Sequence, residues 1–164
     1  MTKYTKLTKS ELVEGIEDHP KLAKYFNLSK ERVFAIKTLD FEGNTTEHIN
    51  EMSLLTEECE RIQWFSNSLE FLEDNNFGID NIEKPFIIYL EVMGSAEYAI
   101  DHFEEDYCGE WDTELEYAEV LIEDCYDLEK IMGELHRYFD YEKFTRDLFI
   151  NDYLFYDGFV FNNS

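Results

Sequence analysis

Apolar positions along the chain fall mostly at helical spacing. Leu12, Val13 and Ile16 follow Thr8-x-x-Glu11, a capping-box pattern in which a hydroxyl and a carboxylate serve the first free N–H groups of a helix. That helix must stop before Pro20, which suits the first position of a second helix running through Leu22 and Phe26. Residues 33 to 41 read as a strand, with Val33-Phe34-Ala35-Ile36 apolar and Gly43-Asn44 turning the chain. Thr46 is placed to cap a longer helix in which Ile49, Met52, Leu55, Cys59 and Ile62 recur at helical spacing and glutamates take the other faces. A second short helical pattern runs from Ser68 to Leu72, before the polar break Asp74-Asn75-Asn76-Phe77-Gly78. The run Phe86-Ile87-Ile88-Tyr89-Leu90 after Pro85 is left open by periodicity between a strand and a turn of buried helix.

From Ser95 onward the pattern sharpens. Ala96, Ala99, Ile100, Phe103 and Tyr107 form one helical face, and Glu97, Asp101, Glu104 and Glu105 fall outside it. Cys108-Gly109-Glu110 breaks this helix, and Asp112 or Thr113 caps the next, whose apolar stripe is Leu115, Ala118, Ile122 and Cys125 with Trp111 just before it. Asp112, Glu116, Glu119 and Glu123 make a parallel stripe of carboxylates. A short helix from Asp140 carries Tyr141, Phe144 and Leu148. Tyr153 to Phe161 then reads as a hairpin, because Asp157-Gly158 supplies the positive φ angles that a two-residue turn demands. The pattern predicts an α+β protein of elongated, multi-lobed form: acidic helices, short antiparallel strands and a C-terminal β-hairpin. Three subdomains are expected, at residues 1–66, 67–94 and 95–164.

Charge changes the picture most. The 164 residues carry a formal charge of −24, far beyond what solubility needs, and self-repulsion at this level costs stability. It is unevenly spread: residues 1 to 37 hold eight Lys or Arg against five acids, whereas residues 97 to 142 hold 17 acids against Lys130 and Arg137 alone. Such a stretch without apolar residues would be a disordered tail, but regularly spaced Phe103, Tyr107, Trp111, Tyr117 and Ile122 let it fold. A surface of this sign repels nucleic acid and anionic membranes, so its natural partner is a basic protein surface or a cation. Without a membrane span or the apolar core of a signal peptide at Met1-Thr2-Lys3-Tyr4, a cytoplasmic location is expected, and Cys59, Cys108 and Cys125 read as buried reduced thiols.

Motifs for chemistry are missing. There is no phosphate-cradling glycine loop, Cys-x-x-Cys, His-x-x-x-His or nucleophile elbow, and His19, His48, His102 and His136 are dispersed. The break at Asp74 resembles a calcium loop, yet its glycine falls one place early and Pro85 stands where the closing glutamate belongs. The sequence therefore calls for no catalytic residue, no metal and no cofactor. The carboxylates do imitate something. Duplex DNA carries one negative charge per about 1.7 Å of axis, so −24 matches roughly 12 base pairs, and carboxylates four residues apart on a helix rise about 6 Å, close to two base-pair steps.

The segment Leu135-His136-Arg137-Tyr138-Phe139-Asp140-Tyr141-Glu142-Lys143-Phe144-Thr145-Arg146-Asp147-Leu148 resembles the closing signature of the ArdA antirestriction proteins, in which an aromatic-Asp-Tyr step precedes a short helix ending in Arg-Asp-Leu. Upstream, Phe103-Glu104-Glu105-Asp106-Tyr107-Cys108-Gly109-Glu110-Trp111-Asp112 and Tyr117-Ala118-Glu119 are similar to the family's acidic helix pair around a Tyr-x-Gly-Glu turn. The resemblance covers residues 96–161 well and 33–62 faintly. The family's opening strand with its Tyr-Asn-x-Gly turn is not visible, and a Lys-rich start replaces it.

The resemblance implies a non-enzymatic DNA mimic of phages and mobile elements. It would be a homodimer that occupies the DNA groove of the methyltransferase core of type I restriction-modification enzymes. Glu104, Glu105, Asp106, Glu110, Asp112, Glu119 and Asp140 would then belong to the phosphate-like surface, with Glu97, Asp101, Glu116 and Glu123 extending it. Tyr138, Phe139, Asp140, Tyr141, Phe144, Arg146, Asp147 and Leu148 match the antirestriction signature, in which Arg146 and Asp147 are expected to tie helix to hairpin or to support the dimer. The rival readings are the same mimicry aimed at another defence nuclease, such as a CRISPR effector with its basic channel, and a carboxylate- or metal-dependent hydrolase.

Overall fold

The computed structural model describes residues 9–31, 53–74, 78–79 and 81–163, which fall into two compact units, Met1–Asp101 and His102–Ser164. The strand expected at residues 33–41, the caps Thr8 and Thr46, and residues 75–77 of the polar break lie outside the described residues.

In the N-terminal unit, helices α1 (Lys9–Asp18) and α2 (Pro20–Tyr25) meet at His19, with Pro20 opening α2 where its missing N–H costs nothing. Helix α3 (Ser53–Glu73) is continuous, so the short pattern at Ser68–Leu72 is its last turns rather than a separate helix. The polar Ser66 and Ser68 do not interrupt it, because each hydroxyl donates 2.8 Å back to a carbonyl one turn earlier, Ile62 and Trp64. The apolar run after Pro85 is helix α4 (Glu83–Met93), with Pro85 in the first turn, where no intrahelical donor is lost. Gly94 closes α4 in the left-handed conformation at φ 67°, and its N–H reaches the Leu90 carbonyl at 2.9 Å. The core joins Leu12 and Ile16 of α1, Leu22 of α2, Phe65 and Leu69 of α3, and Phe86, Tyr89 and Leu90 of α4. Gly15 lets α1 lie close on α3, since any side chain there would run into Leu69. The Phe71 and Phe86 rings stack at 4.6 Å, and the Tyr25 hydroxyl donates to the Leu90 carbonyl at 3.1 Å.

Helix α5 (Ala96–Asp106) leads into a strand that the sequence pattern missed, β1 (Tyr107–Glu110). Residues 108–110 thus end the helix by joining a sheet rather than by forming a simple turn. Gly109 adopts φ 105° within an irregular register, and the Trp111 indole N–H closes over it onto the Cys108 carbonyl at 2.9 Å. The remaining elements are α6 (Glu114–Cys125), α7 (Leu128–Met132), a 3-10 segment (Gly133–Tyr138), α8 (Tyr141–Asn151), β2 (Tyr153–Tyr156) and β3 (Phe159–Asn162). The sheet is antiparallel in the order β1-β3-β2, so the last strand of the chain is the central one. Phe159, Val160 and Phe161 are all buried there, with Leu154 opposite Phe161 and Phe155 opposite Val160. Phe103 and Tyr107 bring their rings within 6.4 and 6.0 Å of Phe161.

Asp157 and Gly158 make the two-residue turn at φ 48° and 86°. A β-branched side chain at Gly158 would be held in a conformation it strongly resists, so Gly158→Val should destabilise the C-terminal unit by about 1–3 kcal/mol. A denaturant midpoint unchanged from the parent protein would remove this turn from the stability of the fold.

Candidate anionic docking surface

The acidic helices are built so that their charges have one way to face. On α5, Glu97, Asp101, Glu104 and Glu105 fall within about a 100° arc and are exposed, while Ala99 and Phe103 on the other side are fully buried. Asp106 lies seven residues after Ala99 and three after Phe103, which places it on the apolar side, and it is only 5% exposed. It is therefore removed from the displayed surface to which the sequence assigned it. Glu110 on β1 and Asp112 after it are exposed.

Helix α6 repeats the design. Tyr117, Ala118 and Ile122 are buried and Glu116, Glu119 and Glu123 are exposed in a row about 10 Å long. The buried stripe sits further round than Leu115 and Cys125 suggested. Tyr117 takes its centre because the Trp111, Phe149 and Tyr153 rings close on it at 5.4, 5.9 and 5.0 Å. Leu115 is half-buried, and Cys125 is exposed, contrary to expectation, because α6 ends there and the chain leaves in extended conformation at Tyr126.

Of the two candidate caps, Thr113 serves. Its hydroxyl accepts from the Glu116 N–H at 3.1 Å, and the Glu116 carboxylate accepts the Asp112 N–H at 2.9 Å. Asp140 likewise caps α8 by accepting from the Lys143 N–H at 3.0 Å, and Asp127 caps α7 from Lys130 at the same distance. Negative charge at these helix starts is stabilised by the helix dipole, which lets the sequence concentrate carboxylates there at reduced cost. The C-terminal unit holds 18 acids against Lys130, Arg137, Lys143 and Arg146, a net of −14.

In the signature segment Tyr138 is 76% exposed. Phe139 packs on Tyr141 and Phe144 at 4.9 and 5.7 Å, and Leu148 is half-buried. Arg146 pairs with its neighbour Asp147 at 3.8 Å, both well exposed, whereas the contact from α8 to the hairpin is aromatic, Phe149 on Tyr153 and Phe155 at 6.2 and 6.3 Å. The N-terminal unit also has an acidic cleft that the sequence pattern does not reveal. About 480 Å³ in volume, it is lined by Glu11, Glu14 and Asp18 of α1 and Glu70 and Glu73 of α3. The signal was present, since those glutamates recur at helical spacing, but it was masked by the basic average of the first 37 residues. Among the described residues no group of three or more His, Cys, Asp or Glu is placed to hold a metal ion, and no helix is long and apolar enough to cross a membrane.

Beneath the carboxylates, burial pushes the Tyr117 hydroxyl far above the usual tyrosine range, reinforced by hydrogen bonds with Tyr153 and Cys108. Burial likewise raises the Cys108 thiol, and burial with the Glu110 charge raises Tyr107. All three are neutral when protonated and have folded pKa values above their unfolded ones, so their stabilisation is complete below the unfolded pKa and is lost as pH rises. Above about pH 10 the unfolded chain releases a proton that folded Tyr117 holds more tightly, and stability should fall as pH rises, by at most about 1.4 kcal/mol per pH unit from this group. Tyr117→Phe should flatten that alkaline slope in denaturant titrations from pH 9 to 11. An unchanged slope would place the titrating group elsewhere.

The profile of the family described as antirestriction protein (ArdA) matches residues 34–161. The chain belongs to the ArdA antirestriction family, and the match extends well upstream of the signature-bearing region, leaving α1 and α2 outside it. No curated protein and no solved structure matches the chain.

Proposed function

We propose that this ArdA protein blocks type I restriction-modification enzymes by presenting its carboxylates to the basic cleft of the methyltransferase core in place of DNA. The observation that carries this reading is the exposed row Glu116, Glu119 and Glu123, raised on a buried aromatic base in a unit of net charge −14. With them go Glu97, Asp101, Glu104, Glu105, Glu110, Asp112 and Asp140, all exposed. A fixed anionic surface avoids the ordering cost that a flexible acidic tail would meet on binding. Because many contacts share the energy, neutralising any one carboxylate should weaken inhibition only slightly, and the effects should add. A hydrolase would instead lose all activity with one or two of them. The test is the plating efficiency of unmodified phage on a type I restricting host that expresses the protein. Restoration of plating supports the reading, and undiminished restriction by well-expressed protein contradicts it.

The protein acts as a homodimer in this account, held through α7 and the 3-10 segment. None of their residues is buried, and Ile131, Leu135 and Tyr138 are 64, 62 and 76% exposed in a unit of net charge −14. Large apolar side chains left exposed in this way support a protein contact here. Leu135→Asp with Tyr138→Asp should convert a dimer into a folded monomer in light scattering. A parent protein that is already monomeric at micromolar concentration would refute the assignment.

A further inference from the structure

The C-terminal unit has a second surface that phosphate imitation does not explain. Between the start of α6 and helix α8 lies an open groove of about 720 Å³. Leu115, Phe149 and Phe155 line it with half-buried side chains, and Ile150, 66% exposed, stands at its edge. Phe149 is fixed by Tyr117, Tyr153 and Phe155, so the apolar wall is preformed. Asp112, Glu114 and Glu142 border the same groove with exposed carboxylates. The cation there, Arg146, is partnered by Asp147.

We propose that this groove takes an apolar side chain carried on a cationic segment of the protein partner. The proposal rests on the reading that the partner presents a basic surface, and it adds to it. A row of phosphates offers charge but no recess, so a partner held by charge alone would dissociate as salt rises. An aliphatic or aromatic side chain seated beside Phe149 is held by burial, which salt does not screen, while flanking Lys or Arg residues meet Asp112, Glu114 and Glu142. The dimer contact proposed above lies on α7 and the 3-10 segment, outside this groove, and the carboxylates of Asp112, Glu114 and Glu142 at its rim call for a cationic occupant. The groove thereby gives the inhibitor a specificity that a polyanion lacks.

Two helical peptides of equal charge, one of lysine and leucine with its leucines on one face and one of lysine and alanine, are titrated by fluorescence anisotropy into the full-length protein at low and high salt. The lysine–leucine peptide should bind about tenfold more tightly, an advantage that survives high salt. Ile150→Glu, at an exposed position, should abolish that advantage although it adds a negative charge, and should leave the lysine–alanine peptide bound at least as well. Equal affinities for the two peptides, or an advantage that persists in Ile150→Glu, would overturn the proposal. A loss of dimer mass in Ile150→Glu would also overturn it, assigning the groove to a second copy. In DNA displacement from a type I methyltransferase core, charge imitation alone predicts that Ile150→Glu is undiminished, and the groove predicts about tenfold weaker displacement. If the parent protein displaces no DNA, the functional reading fails, while the peptide comparison still decides the groove.

Discussion

Phe161→Ala should lower the stability of the C-terminal unit by about 3–5 kcal/mol, a large part of what holds any small domain together. Phe161 is fully buried on the central strand, paired across to Leu154 on one side and Tyr107 on the other, with Phe103 behind it. Removing the ring leaves a cavity where helix α5 and both flanking strands meet, and none of them can collapse into it without breaking the sheet register. The charge magnifies the consequence, since a loosened unit of net −14 repels itself apart. Urea unfolding measures the loss, with Tyr156→Ala as the control. Tyr156 lies on the same hairpin but is 48% exposed, and its truncation should cost within about 0.5 kcal/mol. Equal losses for the two variants would mean that the hairpin is not the core of this unit.

Replacing Glu116, Glu119 and Glu123 together by glutamine should weaken target inhibition roughly tenfold to a hundredfold, from about 0.5–1 kcal/mol for each surface charge. The three project from one exposed row on α6, and Glu116 alone among them also has a structural role at the helix start, which glutamine retains in the capping box. Folding should therefore be little changed, because the relief of repulsion between like charges one turn apart offsets the loss of the Glu116 charge at the helix start. Inhibition measured against salt separates the causes. The parent and the triple variant should converge as salt rises, since screening removes from the parent what substitution removes from the variant. A variant as potent as its parent at low salt would show that this row does not face the partner.

Much of the C-terminal unit was legible in the sequence because local and tertiary signals agree there. The short helix read from Asp140 begins there, and Asp157-Gly158 dictates the observed turn through backbone geometry alone. The failures have physical reasons. Strand β1 escaped because Gly109 reads as a breaker, whereas the sheet uses it as an irregularity sealed by Trp111. Asp106 is grouped with its acidic neighbours by the family resemblance, whereas its spacing from Ala99 and Phe103 places it inside. Cys125 fits the helical repeat but falls at the last residue of α6, where no neighbour covers it. The helix after Pro85 could not be told from a strand because it is buried on almost every side and so has no polar period to read. Groove and apolar strip needed the fold, since Leu115, Ile150 and Phe155 lie on three elements and Ile131, Leu135 and Tyr138 look like core in any helical pattern.

The central claim is that this antirestriction protein acts by taking the place of DNA, and competition tests it most directly. The full-length protein is titrated against labelled target DNA bound to a type I methyltransferase core at several salt concentrations, and the DNA remaining bound is measured. The account predicts stoichiometric displacement that weakens as salt rises. DNA that stays bound at saturating inhibitor, with the enzyme active and the inhibitor folded, would contradict it.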